Sequence, residues 1–310
     1  MIKTCIFVIY YQDKNIFAME RAIPASQLVL NSEGAVYHLG LHPEDLADDV
    51  ILVGDPSRAD LVASYFDTIE VKHQNRELWT RTGRYKGKRI TVLSTGMGTD
   101  NIDIVVNELD VLANIDLRTR TPKEERRSLN LIRLGTSGGL QEDIAVEDSY
   151  VATRYAVGLD GLIYFYEKNK EVNELAIRDA FIEQMDYPSE LPIPYVVEGS
   201  KALFDRLGEG YIQGITATAP GFYGPQGREL RMRVAYPENN HKMEAFTYEG
   251  WRICNFEMES SALYGLGKMM GHQCLTICAV IANRVSEKFC NDYHPYVKKL
   301  VKNTLDRLSE

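Results

Sequence analysis

From residue 50 onward the chain alternates short apolar runs, glycine turns and amphipathic stretches. Val50, Ile51, Leu52 and Val53 form a β-rich run that stops at Gly54-Asp55-Pro56, and residues 58–66 follow with helical spacing. Residues 90–93 repeat the strand pattern and stop at Gly96-Met97-Gly98. The next stretch places Ile102, Val105, Val106, Leu109 and Leu112 on one helical face, with Thr99 or Asp100 as the expected cap. Residues 131–134 form a third strand, bounded by Gly135-Thr136-Ser137-Gly138-Gly139. Residues 275–281 form a late core strand, and a last helix carries Val297, Leu300, Val301, Leu305 and Leu308. This alternation predicts an α/β domain with a largely parallel or mixed sheet.

Only one segment breaks the pattern. Residues 116–130 are charged and lack an apolar period, so they read as a surface insertion rather than a basic binding arm. No internal repeat or Pro/Gly/Ser linker divides the chain.

Composition narrows the function classes. The 310 residues are 45% hydrophobic and 25% charged, which fits a folded globular chain and excludes a disordered one. With 35 basic and 44 acidic residues the net charge is -9, so neither a nucleic acid nor an anionic membrane is expected as partner. A small anion in a local basic pocket remains compatible with that sum. The five cysteines, Cys5, Cys254, Cys274, Cys278 and Cys290, do not suggest a disulfide framework. Cys274 and Cys278 sit in an apolar strand with a spacing unusual for structural zinc, so they read as buried thiols. No apolar run is long enough for a membrane helix, and the N-terminal apolar stretch lacks a small-residue cleavage site. The protein is therefore expected in the cytoplasm. Met19 offers a second start, so residues 1–18 read as an extension or as upstream translated sequence.

Several strand ends carry chemistry. Gly54-Asp55-Pro56-Ser57-Arg58 sets a close-approach backbone and an arginine at a helix start, a natural anion site. Arg133 interrupts the apolar run LIRL, and a buried guanidinium needs a partner such as a bound anion. Neither a P-loop nor a dinucleotide fingerprint is present, so ATP and nicotinamide have no support. Glu257 and Glu259 stand two residues apart before a helix; capping explains one carboxylate more readily than both. Phe222, Gln226 and Arg228 lie in a glycine-rich loop suited to stacking on a planar ring and reading its polar edge.

Taken in order, His38-Leu39-Gly40-Leu41, Gly54-Asp55-Pro56-Ser57-Arg58, Asn75-Arg76-Glu77, Ser94-Thr95-Gly96-Met97-Gly98, Arg133-Leu134-Gly135-Thr136-Ser137-Gly138, Phe222 to Arg228, Glu257-Met258-Glu259-Ser260 and Ile281-Ala282-Asn283-Arg284 form a series. On these motifs the chain resembles the uridine phosphorylase branch of the nucleoside phosphorylase family. The resemblance implies a single-domain, three-layer α/β fold with a central mixed, partly barrel-like β-sheet flanked by helices. Residues 34–310 would form that domain, after an extension at 1–33 and with the insertion at 116–130. By the same resemblance Gly54, Arg58, Arg76, Arg133 and Thr136 would bind phosphate. His38, Thr136, Met258 and Glu259 would hold the ribose, with His38 and Arg76 reaching in from a neighbouring subunit. Phe222, Gln226, Arg228, Glu257, Ile281 and Arg284 would line the base site, and Arg228, Gln226 and Glu259 would carry catalysis. A homodimer is then the minimum assembly, with a hexamer open.

The implied substrates are uridine and inorganic phosphate, with no organic cofactor and no firm metal. Glu77 matches one ligand of a monovalent-cation (potassium) site at some family interfaces, but Asn101 stands where the family carries a small hydroxyl residue. The aspartate that follows the late strand in the purine branch is missing, and Glu287 lies several residues beyond it. Uridine is therefore expected as substrate, with inosine and adenosine nearly untouched. The alternatives are a purine nucleoside phosphorylase, a phosphate-independent nucleosidase that would not need three arginines, and a non-catalytic nucleoside binder.

Overall fold

The computed structural model describes residues 22–310. Strand alternation assigns side chains to faces from the first strand, β1 (Asp49–Val53). Val50 and Leu52 join one apolar cluster, whereas Ile51 and Val53 join another. After β1 come α1 (Pro56–Ala63), β2 (Thr68–Asn75), β3 (Leu78–Tyr85), β4 (Lys88–Ser94) and α2 (Thr99–Asn114). A short hairpin of β5 (Ile115–Asp116) and β6 (Thr121–Pro122) leads to β7 (Asn130–Gly139) and β8 (Tyr150–Gly158). Then follow α3 (Asn169–Val172), α4 (Leu175–Met185), β9 (Tyr195–Glu198), α5 (Lys201–Leu207) and β10 (Ile212–Thr218). The chain finishes with α6 (Asn239–Ala245), β11 (Thr247–Tyr248), β12 (Trp251–Glu257), α7 (Ser260–Met270), β13 (Gln273–Asn283), β14 (Lys288–Phe289) and α8 (His294–Ser309).

The sheet is open at one end and closed at the other. β1 pairs in parallel with β4 and β7, and β2 and β3 continue outward from β4 in antiparallel fashion. From β7 the sheet passes through β13, β8, β10 and β12. β12 then returns to β7, with Asn255 opposite Gly139 and Phe256 opposite Gly138. Five strands thus form a ring, which is the mixed, partly barrel-like sheet expected.

Helices cover both faces. The apolar sides of α2 and α7 share a cluster with Val50 and Leu52. Those of α1, α5 and α8 share one with Ile51 and Val53, and α4 and α6 pack in a third around the ring. The parallel strands β1, β4, β7 and β13 end together at Val53, Ser94, Gly139 and Asn283, the side where ligands bind in such sheets.

One detail differs from expectation and two add to it. The cap of α2 is Gly98 at φ 95°, not Thr99 or Asp100, and a distant carboxylate, Glu259, accepts its amide at 2.8 Å. Segment 116–130, expected as a surface insertion, is fastened to the body. Lys123 Nζ donates to the carbonyls of Leu112 and Ala113 at the end of α2, and Arg127 pairs with Asp48. Arg120 likewise donates to the carbonyls of Ile23 and Leu28, so these three basic residues hold the chain. Of the expected extension, residues 1–21 lie outside the described residues. Residues 22–33 rest on the body: Ile23 N donates to Arg120 O, Leu28 is buried and Leu30 packs on the α2–α7 cluster. No break in packing therefore marks residue 33. Among the described residues no helix is long and apolar enough to cross a membrane.

Candidate active site

A cavity of about 990 Å³ opens at these strand ends. Its inner end holds two guanidinium groups, those of Arg58 and Arg133. In β7, Leu131 joins the α2–α7 side, and alternation brings Arg133 to the same side two residues on. Arg133 is 5% exposed; its guanidinium pairs with Glu259 and lies 3.5 Å from Glu257. Burial opposes its charge, but Glu259 and Glu257 outweigh that, so its pKa lies above the ordinary arginine value. Gly135 makes the placement possible, because a methyl group there would stand 2.1 Å from Arg133 Nη1. Arg133 Nε, buried, has no protein partner.

Arg58 approaches from the first turn of α1. Asp55 caps that helix by accepting the Arg58 amide and also faces the Arg58 guanidinium at 3.3 Å. Burial holds the Arg58 pKa below its usual value, Asp55 partly offsets this, and Arg133 repels it. Gly54 and Thr136 line the same end. Two largely buried guanidinium groups that repel one another make a site that an oxyanion would relieve.

The outer end is built around Arg228. Its Nη1 donates to Gln226 Oε1 and to the Phe222 carbonyl, each at 2.6 Å, and its guanidinium carbon lies 3.8 Å from the centre of the Phe222 ring. Burial, reinforced by Arg284, lowers its pKa to about 10, which leaves it charged at neutral pH. Arg284 donates to Gly227 O at 3.2 Å, so the end of β13 is tied to the loop that carries Gln226. Gln226 is buried, Phe222 is half exposed, and Ile281 lines the wall beside them.

Met258 and Glu259 lie between the two ends. Glu259 is 3% exposed, with one oxygen accepting the Gly98 amide and the other facing Arg133. Burial raises its pKa, and Arg133 counters only part of that. The carboxylate retains further lone pairs for hydroxyl donors.

Glu257 is placed differently from its expected base-site role. It borders the cavity, but its oxygens accept from Thr218 Oγ1 and from the amides of Glu259 and Ser260. It caps α7 and balances Arg133, so both members of the acidic pair have structural partners. Asp55, Ser137 and Asn101, given no ligand-binding role from sequence, also line the cavity. The capping of α1 by Asp55 and its facing of Arg58 emerge only in the fold.

The chain as a whole matches the Phosphorylase superfamily model over residues 48–306. It belongs to that superfamily. A uridine phosphorylase from Thermococcus kodakarensis is 31% identical over 257 residues, covering 83% of this chain and 80% of the relative. A DeoD-type purine nucleoside phosphorylase from Exiguobacterium is 29% identical over 244 residues, covering 78% and 84%. The crystal structure of a Trypanosoma brucei nucleoside phosphorylase, described as showing uridine phosphorylase activity, superposes with a TM-score of 0.76 at 29% identity. That match covers 91% of this chain and 99% of the other.

In this member of the superfamily, His38 and Arg76 lie outside the cavity of their own chain. They are neighbours on one surface, where Asn75 Nδ2 donates to His38 O at 2.8 Å and Tyr37 packs edge-on against the His38 ring. Glu108 accepts from the backbone and Nδ1 of His38. Glu77 lines the cavity and accepts from Asn101 Nδ2 at 3.3 Å, so the amide occupies part of the carboxylate that a cation would use. Cys274 and Cys278 are buried on β13, and burial pushes the Cys278 thiol up to about 12.

Proposed function

We propose that the protein is a uridine phosphorylase, which converts uridine and inorganic phosphate reversibly to uracil and ribose 1-phosphate. The observation that carries this reading is the two-ended cavity, with an anion site at Arg58 and Arg133 and a pyrimidine-edge reader at Gln226 and Arg228. Gly54 and Thr136 complete the phosphate end, with Arg76 supplied by a partner chain. Met258 and Glu259 hold the ribose, and a partner's His38 meets its 5′ end. Phe222 and Ile281 flank the base, and Arg284 supports it.

A phosphate oxygen attacks the ribose anomeric carbon while the carbon–nitrogen bond breaks and its electron pair moves onto the base. Positive charge builds on the ribose, and negative charge spreads to the uracil carbonyls. Glu259 lies beside the developing cation, and Arg228 and Gln226 donate to the developing anion. Each well-placed donor of this kind contributes roughly 3 kcal/mol. The arginines align the phosphate, so the attack proceeds from a held geometry. Neither an organic cofactor nor a metal is assigned a step.

The shared-site reading requires at least a homodimer. It is supported by the outward placement of His38 and Arg76, and by the exposure of Tyr37 and Met97 (45% and 74%). A cytoplasmic location belongs to the same proposal, supported by the free thiols. The test is a comparison of uridine with inosine at saturating phosphate. Uridine is expected to turn over at least a hundredfold faster. Comparable rates would contradict the pyrimidine assignment.

A further inference from the structure

The turn from β13 to β14 is built to present one side chain. Asn283, itself buried, accepts the amides of Val285 and Ser286 and donates to the carbonyls of Gln141 and Ile144. β14 pairs back on Ala282 and Asn283, and Cys290 N donates to Ile281 O. Glu287 closes this turn at φ 53°, a left-handed conformation that a non-glycine residue adopts only where its surroundings impose it. The turn brings Glu287 and Lys288 to the cavity wall beside Arg284.

The other carboxylates that line the cavity are engaged. Asp55 faces Arg58, Glu77 accepts from Asn101, and Glu257 and Glu259 share Arg133. Among the described residues Glu287 has no hydrogen bond or ion pair. The charged groups on its own segment are cationic, Arg284 and Lys288, and Arg284 in turn repels Arg228 in the loop to which it is bonded. Glu287 supports the charge of Arg284 against the effect of burial.

We propose that Glu287 is a specificity-determining residue, the single counter-charge at the base end, which weakens binding of nucleobases that are already anionic in solution and leaves neutral bases admitted. The physical need is clear. A pocket of uncompensated cations would favour any planar anion over a neutral nucleoside and would retain the base anion formed on cleavage. One exposed carboxylate at the mouth lowers that standing potential. It leaves Arg228 to act at short range, where the developing charge appears. This inference rests on the proposed placement of a base beside Arg228.

The test is equilibrium binding of uracil and of 5-nitrouracil, which is ionised near neutral pH, by calorimetry at saturating phosphate. Glu287→Gln is expected to tighten 5-nitrouracil about threefold to fivefold relative to uracil, the upper scale of one exposed charge. Lys288→Gln is expected to move the ratio the opposite way, Glu287→Asp to leave it near wild type, and high salt to shrink all three effects. A ratio unmoved by Glu287→Gln, or equal changes for both bases, would overturn the proposal. A wild-type chain that cleaves no uridine, with the ratio still shifted in Glu287→Gln, would sink the uridine reading while leaving the role of Glu287 intact.

Discussion

Arg133 is the residue on which the inner site turns. It is buried against two carboxylates, so replacing it leaves uncompensated charge behind. Arg133→Met is expected to cost about 3–5 kcal/mol in denaturant unfolding, the scale of breaking a buried pair. A loss below about 1 kcal/mol would show that the carboxylates do not depend on it. Gly135 sets the same arginine's position, through the room it leaves beside Nη1. Gly135→Ala is expected to raise the KM for phosphate at least tenfold with a smaller change for uridine. An unchanged phosphate KM would mean that the guanidinium has space elsewhere. Arg58, by contrast, is held by one helix cap, and burial and Arg133 both work against its charge. Phosphate is therefore expected to raise the wild-type melting temperature by linkage, and Arg58→Ala to abolish most of that rise.

Among the elements, strands that end in glycine turns were the most legible. The runs at 50–53, 90–93 and 131–134 are legible in place because both faces of those strands are buried and their sequences are apolar but for Thr91 and Arg133. The ring was not legible. Its closure depends on β12 returning to β7 at Asn255 and Phe256, a pairing between residues more than a hundred positions apart that leaves no periodic trace. The α2 cap was misplaced for a similar reason: the group that satisfies Gly98 comes from Glu259, far along the chain. Of the site, the arginines and the Gln226–Arg228 pair could be found from residue type and motif. The engagement of Glu257 could not, because it follows from how α7 begins and which donors converge there.

Helix α8 illustrates an element held by charge as well as apolar contact. Asp306 accepts from Lys302, Lys86 and Tyr85. These hydrogen bonds hold its carboxyl well below the usual aspartate range, the Lys302 bond most strongly. A depressed folded-state pKa contributes stability above the unfolded value, near 3.8, and that contribution is lost as pH falls through the lower folded-state value. Asp306→Asn is thus expected to lower stability modestly, by about 1 kcal/mol or less at pH 7. The gap to wild type should close progressively in acid below the unfolded value. A gap that persisted unchanged in strong acid would assign the loss to packing instead.

At the scale of the whole molecule, the net charge of -9 and the anion site are compatible because the relevant cations are few and gathered at strand ends. The surface that carries His38 and Arg76 lies outside the lining of its own cavity, so the proposed shared site makes assembly and catalysis inseparable. Arg76→Ala and Arg228→Ala chains, each inactive alone, are expected to regain part of their activity when mixed oligomers form, because one intact site can be composed from two damaged chains. Absence of any recovery in verified mixed oligomers would place Arg76 outside the neighbour's site.

The central claim, that one cavity joins a phosphate site to a pyrimidine site, is tested most directly by following uridine with and without inorganic phosphate and measuring both products. The expected result is equal amounts of uracil and ribose 1-phosphate, and no uracil when phosphate is withheld. Uracil released with free ribose in the absence of phosphate would contradict it.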